Sequence, residues 1–367
     1  MNSLMKSTLM MTAMLLFACT QDTDNEVAPT RDNKVGRDYR NYQDDSRQSW
    51  TSIESRPLVT TIWYPTVETA QETLWQVDIF KAGWSALSSP VLQAESPYPL
   101  IVLSHGTGGS ALQLSWLAEY LASNGYIVAG VNHHGNTAAE GELLPQGFAL
   151  WWERTLDLSA VIDELLSDDQ LAKHIDKNRI GLAGFSLGGY TVISAAGGIT
   201  SLQNRNEFCV ANSENPICQL PPEAKITLAQ LTGKLESNAQ ASASLGRASN
   251  SYKDSRVKAV YSIAPVHGPA FTTKSLQQID IPLSLVVGSD DQQALLEHNA
   301  HLIAQNVSMA KYEELDDVSH YTFLSRCNNE GRKYVPKLCI DNTSVIRKEV
   351  HDSVAEKAHT FFKQHLQ

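Results

Sequence analysis

The chain has 367 residues and a formal net charge of −11, a length that suits one large α/β domain with insertions, or two domains at most. The acidic balance excludes a nucleic-acid binder of the usual kind, which needs basic surface to displace counterions, and gives no support for charge-driven binding to anionic lipid. The composition is that of a globular protein without low-complexity bias.

The first residues read as a targeting segment. Lys6 supplies a positive n-region, and Leu9 to Phe17 form an apolar stretch too short to span a bilayer. Leu16-Phe17-Ala18-Cys19 resembles a bacterial lipobox, so residues 1–19 are expected to be a lipoprotein signal peptide with Cys19 as the lipidated residue. Thr20 is not Asp, so the usual inner-membrane retention signal is missing. The expectation is an exported bacterial lipoprotein held at the outer membrane, cell surface or periplasm by its N-terminal lipid anchor. Residues 20–50 are polar and lack apolar periodicity, and read as a flexible tether. The folded domain is assigned to residues 51–367.

From there strands and helices alternate. Leu58–Tyr64 reads as a strand stopped by Pro65, and Leu100–Leu103 as a strand covered on both faces. Leu112–Ala122 has helical spacing and ends at Gly125. Tyr126–Val131 is a second buried strand, and Trp151–Leu166 an amphipathic helix. Ile180–Ala183 is a strand followed by a helix at Gly189–Ala196. Val257–Ala264 and Leu283–Val287 are further strands, Lys311–Leu315 an edge strand, and Val345–Leu366 a closing helix. This rhythm predicts a mostly parallel sheet with helices on both faces, with the ligand site at the carboxyl ends of the strands. Residues 200–256 break the rhythm and read as an inserted cap or lid.

The sharpest motif is Gly184-Phe185-Ser186-Leu187-Gly188-Gly189, between a buried strand and a helix. That context makes Ser186 a candidate nucleophile on a tight elbow. A serine needs a base close in space, and elbow enzymes carry nucleophile, acid and histidine in that order. Asp290-Asp291 follows the strand at 283–287, and Val318-Ser319-His320 comes later. His320 is the expected base and Asp291 the expected acid, with Asp290 as the alternative. Backbone N–H groups of Thr107, in the loop Ser104-His105-Gly106-Thr107-Gly108-Gly109, and of Leu187 are the expected oxyanion donors. His105 is read as shaping that loop. His133, His134 and His267 are candidates to line a pocket; no metal site is expected, because no third ligand shares the spacing of His133 and His134. Arg154 with Asp157 reads as a structural ion pair. Cys209–Cys218 and Cys327–Cys339 are the expected disulfides, since each pair closes a short loop.

The ordered set Tyr64-Pro65, Ser-His-Gly-x-Gly-Gly, Asn132-His133, Arg154 with Asp157, the Ser186 elbow and His320-Tyr321-x-Phe323 resembles the bacterial predicted dienelactone hydrolases, which are similar to platelet-activating factor acetylhydrolases. The resemblance runs from about Thr60 to the C-terminus, apart from the insertion, and Cys327 and Cys339 fit its pattern. It implies an α/β-hydrolase fold and a Ser-Asp-His carboxylic ester hydrolase that needs no cofactor. Two departures stand out: His134 replaces a common proline, and Thr155-Leu156 an Arg-Pro-type step. Dienelactone hydrolase itself uses cysteine where this chain has Ser186, which favours small-molecule or lipid-like ester substrates. The chain is expected to act as a monomer. Amidase, peptidase or acyltransferase chemistry on the same scaffold, or a non-catalytic surface-binding role, are the alternatives.

Overall fold

The computed structural model describes residues 28–221 and 224–367. The expected signal peptide and Cys19 lie outside the described residues. Among the described residues ten strands form one sheet: β1 (Lys34–Gln48), β2 (Ser55–Thr66), β3 (Thr73–Val77), β4 (Phe80–Leu87), β5 (Tyr98–Ser104), β6 (Ile127–Val131), β7 (Ile175–Phe185), β8 (Val257–Ile263), β9 (Leu283–Gly288) and β10 (Ala310–Leu315). The spatial order is β10-β9-β8-β7-β5-β6-β2-β1-β4-β3. The run from β6 to β10 is parallel throughout, while β2 joins β6, and β1 joins β2, antiparallel. The expected edge position of β10 is the observed one.

Apolar side chains cover both faces of the sheet, as parallel strands require. On one face Leu100, Val102, Leu182 and Val260 pack with Leu158, Val161 and Ile162 of helix α3 (Glu153–Ser167). On the other, Ile101, Leu103, Val128 and Val286 pack with Leu117 and Leu121 of α1 (Ser115–Ser123) and with Val354, Ala358 and Phe362 of the C-terminal helix Arg347–His365. A short helix, α2 (Pro145–Ala149), precedes α3. Helix α4 (Leu187–Ala196) is buried along its whole length, which its apolar, small-residue sequence permits.

Two readings of the sequence need correction. Residues 34–48, expected to be part of a tether, form β1, registered against β2 from Lys34↔Thr66 to Gln48↔Ser55. Its buried side chains mix charged Arg37 and Asp44 with apolar Val35 and Tyr42, so no apolar alternation runs along it. Arg47 reaches Asp44 at 2.6 Å, Glu153 at 3.1 Å and Asp157 at 2.6 Å, and Arg40 reaches Asp168 at 2.8 Å. The hairpin β3–β4 also went unread.

The insertion carries helices α5 (Leu202–Ala211), α6 (Leu228–Glu236) and α7 (Ala239–Leu245). It has a small core of its own, in which Leu231, Leu235 and Ala241 pack against Trp50, Leu144 and Trp152 of the main domain. The two expected disulfides are both present, Cys209–Cys218 within the insertion and Cys327–Cys339 beyond β10. Disulfides are the mark of chains that fold in an oxidising compartment. Among the described residues no helix is long and apolar enough to cross a membrane.

Candidate active site

The site lies at the carboxyl ends of the parallel strands, where the topology of open α/β sheets directs ligands. Strand β7 ends at Phe185 and α4 begins at Leu187, which leaves Ser186 to make the whole turn. Ser186 has φ 57° and ψ −116°, a conformation that costs a non-glycine residue on the order of 1–3 kcal/mol. The turn closes only because its neighbours lack side chains. A Cβ on Gly184 would overlap the carbonyl of Gly188, and one on Gly188 would overlap that of Ser104. The Ser186 N–H donates to the Ile263 carbonyl at 2.9 Å, which ties the elbow to β8.

His320 stands on the short turn His320–Phe323 after β10. Its Nε2 is 3.0 Å from Ser186 Oγ, and its Nδ1 is 2.6 Å from Asp291 Oδ2. Its ring packs on Phe185, with centroids 4.8 Å apart. Asp291 follows β9 and is almost wholly buried. Its Oδ1 accepts the N–H groups of Gln293 at 2.8 Å and Ala294 at 2.7 Å. Burial alone would raise the pKa of Asp291, but the adjoining His320 and these hydrogen bonds hold it below the ordinary carboxylate value. Asp290, one residue earlier, points elsewhere and accepts from Asn342 Nδ2 at 2.9 Å. The carboxylate that reaches the imidazole is therefore Asp291.

The loop after β5 faces the same serine. The Gly106 N–H donates to Gln113 Oε1 at 2.9 Å, and the Gly108 N–H to Asn136 Oδ1 at 3.0 Å. Arg154 Nη1 donates to the His105 carbonyl at 2.9 Å. These bonds fix the loop on both sides of Thr107, which lines the cavity together with Leu187 and Ser186. As the first residue of α4, Leu187 has an N–H with no acceptor inside the helix. Arg154 is thus spent on the loop and not on Asp157, contrary to the sequence reading.

Asp157 instead anchors a buried charge network. Arg56 Nε reaches it at 2.7 Å, Arg47 Nη2 at 2.6 Å and His133 Nδ1 at 3.0 Å. Burial opposes its charge, yet Arg56 and Arg47 hold its pKa well below the usual value. His133 Nε2 in turn lies 2.9 Å from Ser104 Oγ. His133 therefore supports the loop from behind and does not face the cavity. His134 does not face it either: its Nε2 accepts the Trp50 N–H at 3.1 Å and its Nδ1 is 2.8 Å from Glu140. Neighbouring side chains on an extended segment diverge, and here both have been absorbed by structural partners. His267 does line the cavity, and its ring is stacked on Trp151 at 3.9 Å.

The cavity measures about 1480 Å³. Its floor holds Ser186, His320 and Thr107, and Leu202, Ile217 and Leu231 of the insertion form one wall. Tyr39, Trp75 and Phe80 of the N-terminal strands form another. The sequence reading missed this second wall; the aromatic content of residues 73–87 was its one signal. Among the described residues no group of three His, Cys, Asp or Glu side chains could hold a metal ion.

This sheet, with its strand–serine–helix elbow, defines an α/β-hydrolase. The family model of platelet-activating factor acetylhydrolase, isoform II, matches residues 61–148. The model of the prolyl oligopeptidase family matches residues 112–316, more than half of the chain. A ferulic acid esterase from Streptomyces cinnamoneus shares the fold, with a TM-score of 0.63 and 20% identity over 93% of this chain and 92% of that one. The chain belongs to the prolyl oligopeptidase family, and its residues 61–148 are similar to platelet-activating factor acetylhydrolase, isoform II.

Proposed function

We propose that the protein is a serine carboxylic ester hydrolase in which Ser186, His320 and Asp291 form the catalytic triad. The observation that carries this reading is the continuous chain from Ser186 Oγ to His320 Nε2 at 3.0 Å and from His320 Nδ1 to Asp291 at 2.6 Å. His320 takes the hydroxyl proton as Ser186 Oγ attacks the ester carbonyl, and Asp291 stabilises the imidazolium that forms. The Thr107 and Leu187 N–H groups receive the negative charge on the carbonyl oxygen, where the α4 dipole also favours it. His320 then protonates the departing alcohol, leaving an acyl ester on Ser186. Water, deprotonated by the same imidazole, releases the acid and restores the serine.

Short p-nitrophenyl esters test this directly. Wild-type protein should hydrolyse them and Ser186→Ala should not; undiminished turnover by the variant would overturn the assignment. A peptidase reading draws support from the prolyl oligopeptidase match. Cleavage of peptide p-nitroanilides in preference to matched esters would favour it. Anchoring through Cys19 is a separate proposal, tested by fatty-acid labelling of wild type against Cys19→Ser.

A further inference from the structure

The cap brings one unneutralised cation to the cavity wall. Among the described residues lining the cavity, Arg205 of α5 is the sole Lys or Arg. It forms no ion pair among the described residues; Glu214, on the same wall, is not paired with it. Only one of its five N–H donors has a protein acceptor there, Nη2 to the Ile217 carbonyl at 3.1 Å. Its Nε–H is buried and has no partner among the described residues. Desolvation lowers the guanidinium pKa with no carboxylate to offset it. Arg205 is partly buried, and withdrawing a charge from water without a partner is unfavourable. In a cavity, the missing partner can arrive with the ligand.

The guanidinium is also held in place. Its carbon lies 5.1 Å from the Trp151 ring centroid, and Trp151 is stacked on His267. Cys209, one turn along α5 from Arg205, is bonded to Cys218, the neighbour of the Ile217 that accepts from Nη2. The disulfide thus ties the helix carrying the cation to the strand of chain that orients it. His267 sits in the left-handed region at φ 60°, and its Nδ1 is likewise buried without a partner. Strained residues that keep unsatisfied polar atoms cluster at ligand sites.

We propose that Arg205, seconded by His267, forms an anion subsite in the cap, and that the substrate is an ester carrying a free carboxylate that binds there. The proposal rests on the ester hydrolase reading of the site. A planar carboxylate matches the guanidinium edge in size and geometry. A doubly charged phosphate would need further cations, and the described wall has none. The remaining wall, with Trp75, Phe80 and Leu338, suits an apolar portion of the same molecule.

The test compares mono-p-nitrophenyl esters of straight-chain dicarboxylic acids, four to eight carbons long, with p-nitrophenyl esters of monocarboxylic acids of equal length. A charge-assisted hydrogen bond predicts that kcat/KM for the half-acid exceeds that of its neutral counterpart by about tenfold or more at one chain length. Arg205→Gln should lower this ratio at least about tenfold, while Arg205→Lys should retain part of it. A purely structural role would change both substrates alike and leave the ratio intact. A ratio at or below unity at every length, or one unaltered in Arg205→Gln, would overturn the proposal. Binding gives a readout that does not depend on Ser186. The monomethyl ester of the preferred acid should raise the melting temperature of Ser186→Ala but not of Ser186→Ala/Arg205→Gln; equal shifts, or none, would count against the subsite. Neutral esters hydrolysed through Ser186 with no half-acid preference would sink the subsite and leave the hydrolase standing. Binding without any hydrolysis would do the reverse.

Discussion

Replacing Asp291 by Asn should disable the site without unfolding it. In the native chain Asp291 Oδ2 accepts from His320 Nδ1, while Oδ1 accepts two backbone N–H groups. An asparagine keeps its oxygen on those two N–H donors, so its NH2 group is presented to His320 Nδ1. That nitrogen must then accept, which puts the imidazole proton on Nε2, facing Ser186 Oγ 3.0 Å away. A protonated Nε2 donates to the serine and cannot take its proton. Wrong-tautomer substitutions of this kind cost about 10⁴ in turnover, or roughly 5 kcal/mol of barrier. Asp290→Asn should change turnover by no more than a few fold, because Asp290 is bonded to Asn342. The assay is kcat/KM on a short p-nitrophenyl ester, with circular dichroism and melting temperature as folding controls. A large loss in Asp290→Asn with near-normal Asp291→Asn would refute the reasoning.

Two further outcomes concern stability. Asp157→Asn leaves the guanidinium groups of Arg47 and Arg56 facing a neutral, buried amide. Breaking such a pair costs about 3–5 kcal/mol, so the melting temperature should fall on the order of 4–7 °C; a loss under about 1 kcal/mol in urea would contradict this. Acid should also destabilise the fold before most carboxylates titrate. Burial pushes His133, His267 and His351 down to about 3, and burial with Arg154 nearby holds His105 well below the ordinary value. These four imidazoles stay neutral in the folded chain at about pH 5 but take up protons in the unfolded chain below about pH 6.5. Glu119 acts the other way, since burial raises it to about 7 and the folded chain holds its proton. Four protons taken up against one released leave a net uptake of about three on unfolding. Stability should therefore drop by roughly 4 kcal/mol per pH unit between about pH 6 and pH 5. Equal urea midpoints at those two pH values would contradict the assignment.

The parallel strands were legible because each is a short apolar run buried on both faces, as at Leu100–Leu103 and Ile180–Ala183. The nucleophile elbow was legible because glycines 184 and 188 are demanded by steric contact. Strand β1 was hidden because Arg37 and Asp44 are buried, the first hydrogen-bonded to Ser85 and the second paired with Arg47, and charged residues read as solvent-facing. Spacing along the chain could not separate Asp290 from Asp291: the distinction lies in which side chain turns inward after β9. His133 is held by Asp157, and His134 by Ser49 and Trp50 as well as by the nearer Glu140; the distant partners leave no trace in the local pattern. Arg205 gave no signal either, since an arginine on a polar helix is ordinarily solvated; only the fold of the cap turns it toward the cavity.

The nucleophile itself can be read by covalent capture. The protein should be incubated with a fluorophosphonate, digested and sequenced by tandem mass spectrometry. A phosphonyl adduct is expected on the peptide containing Ser186, absent from Ser186→Ala and formed far more slowly in His320→Ala. An adduct that persists in Ser186→Ala, or an esterase-active protein that takes no label at Ser186, would contradict the role given to this serine.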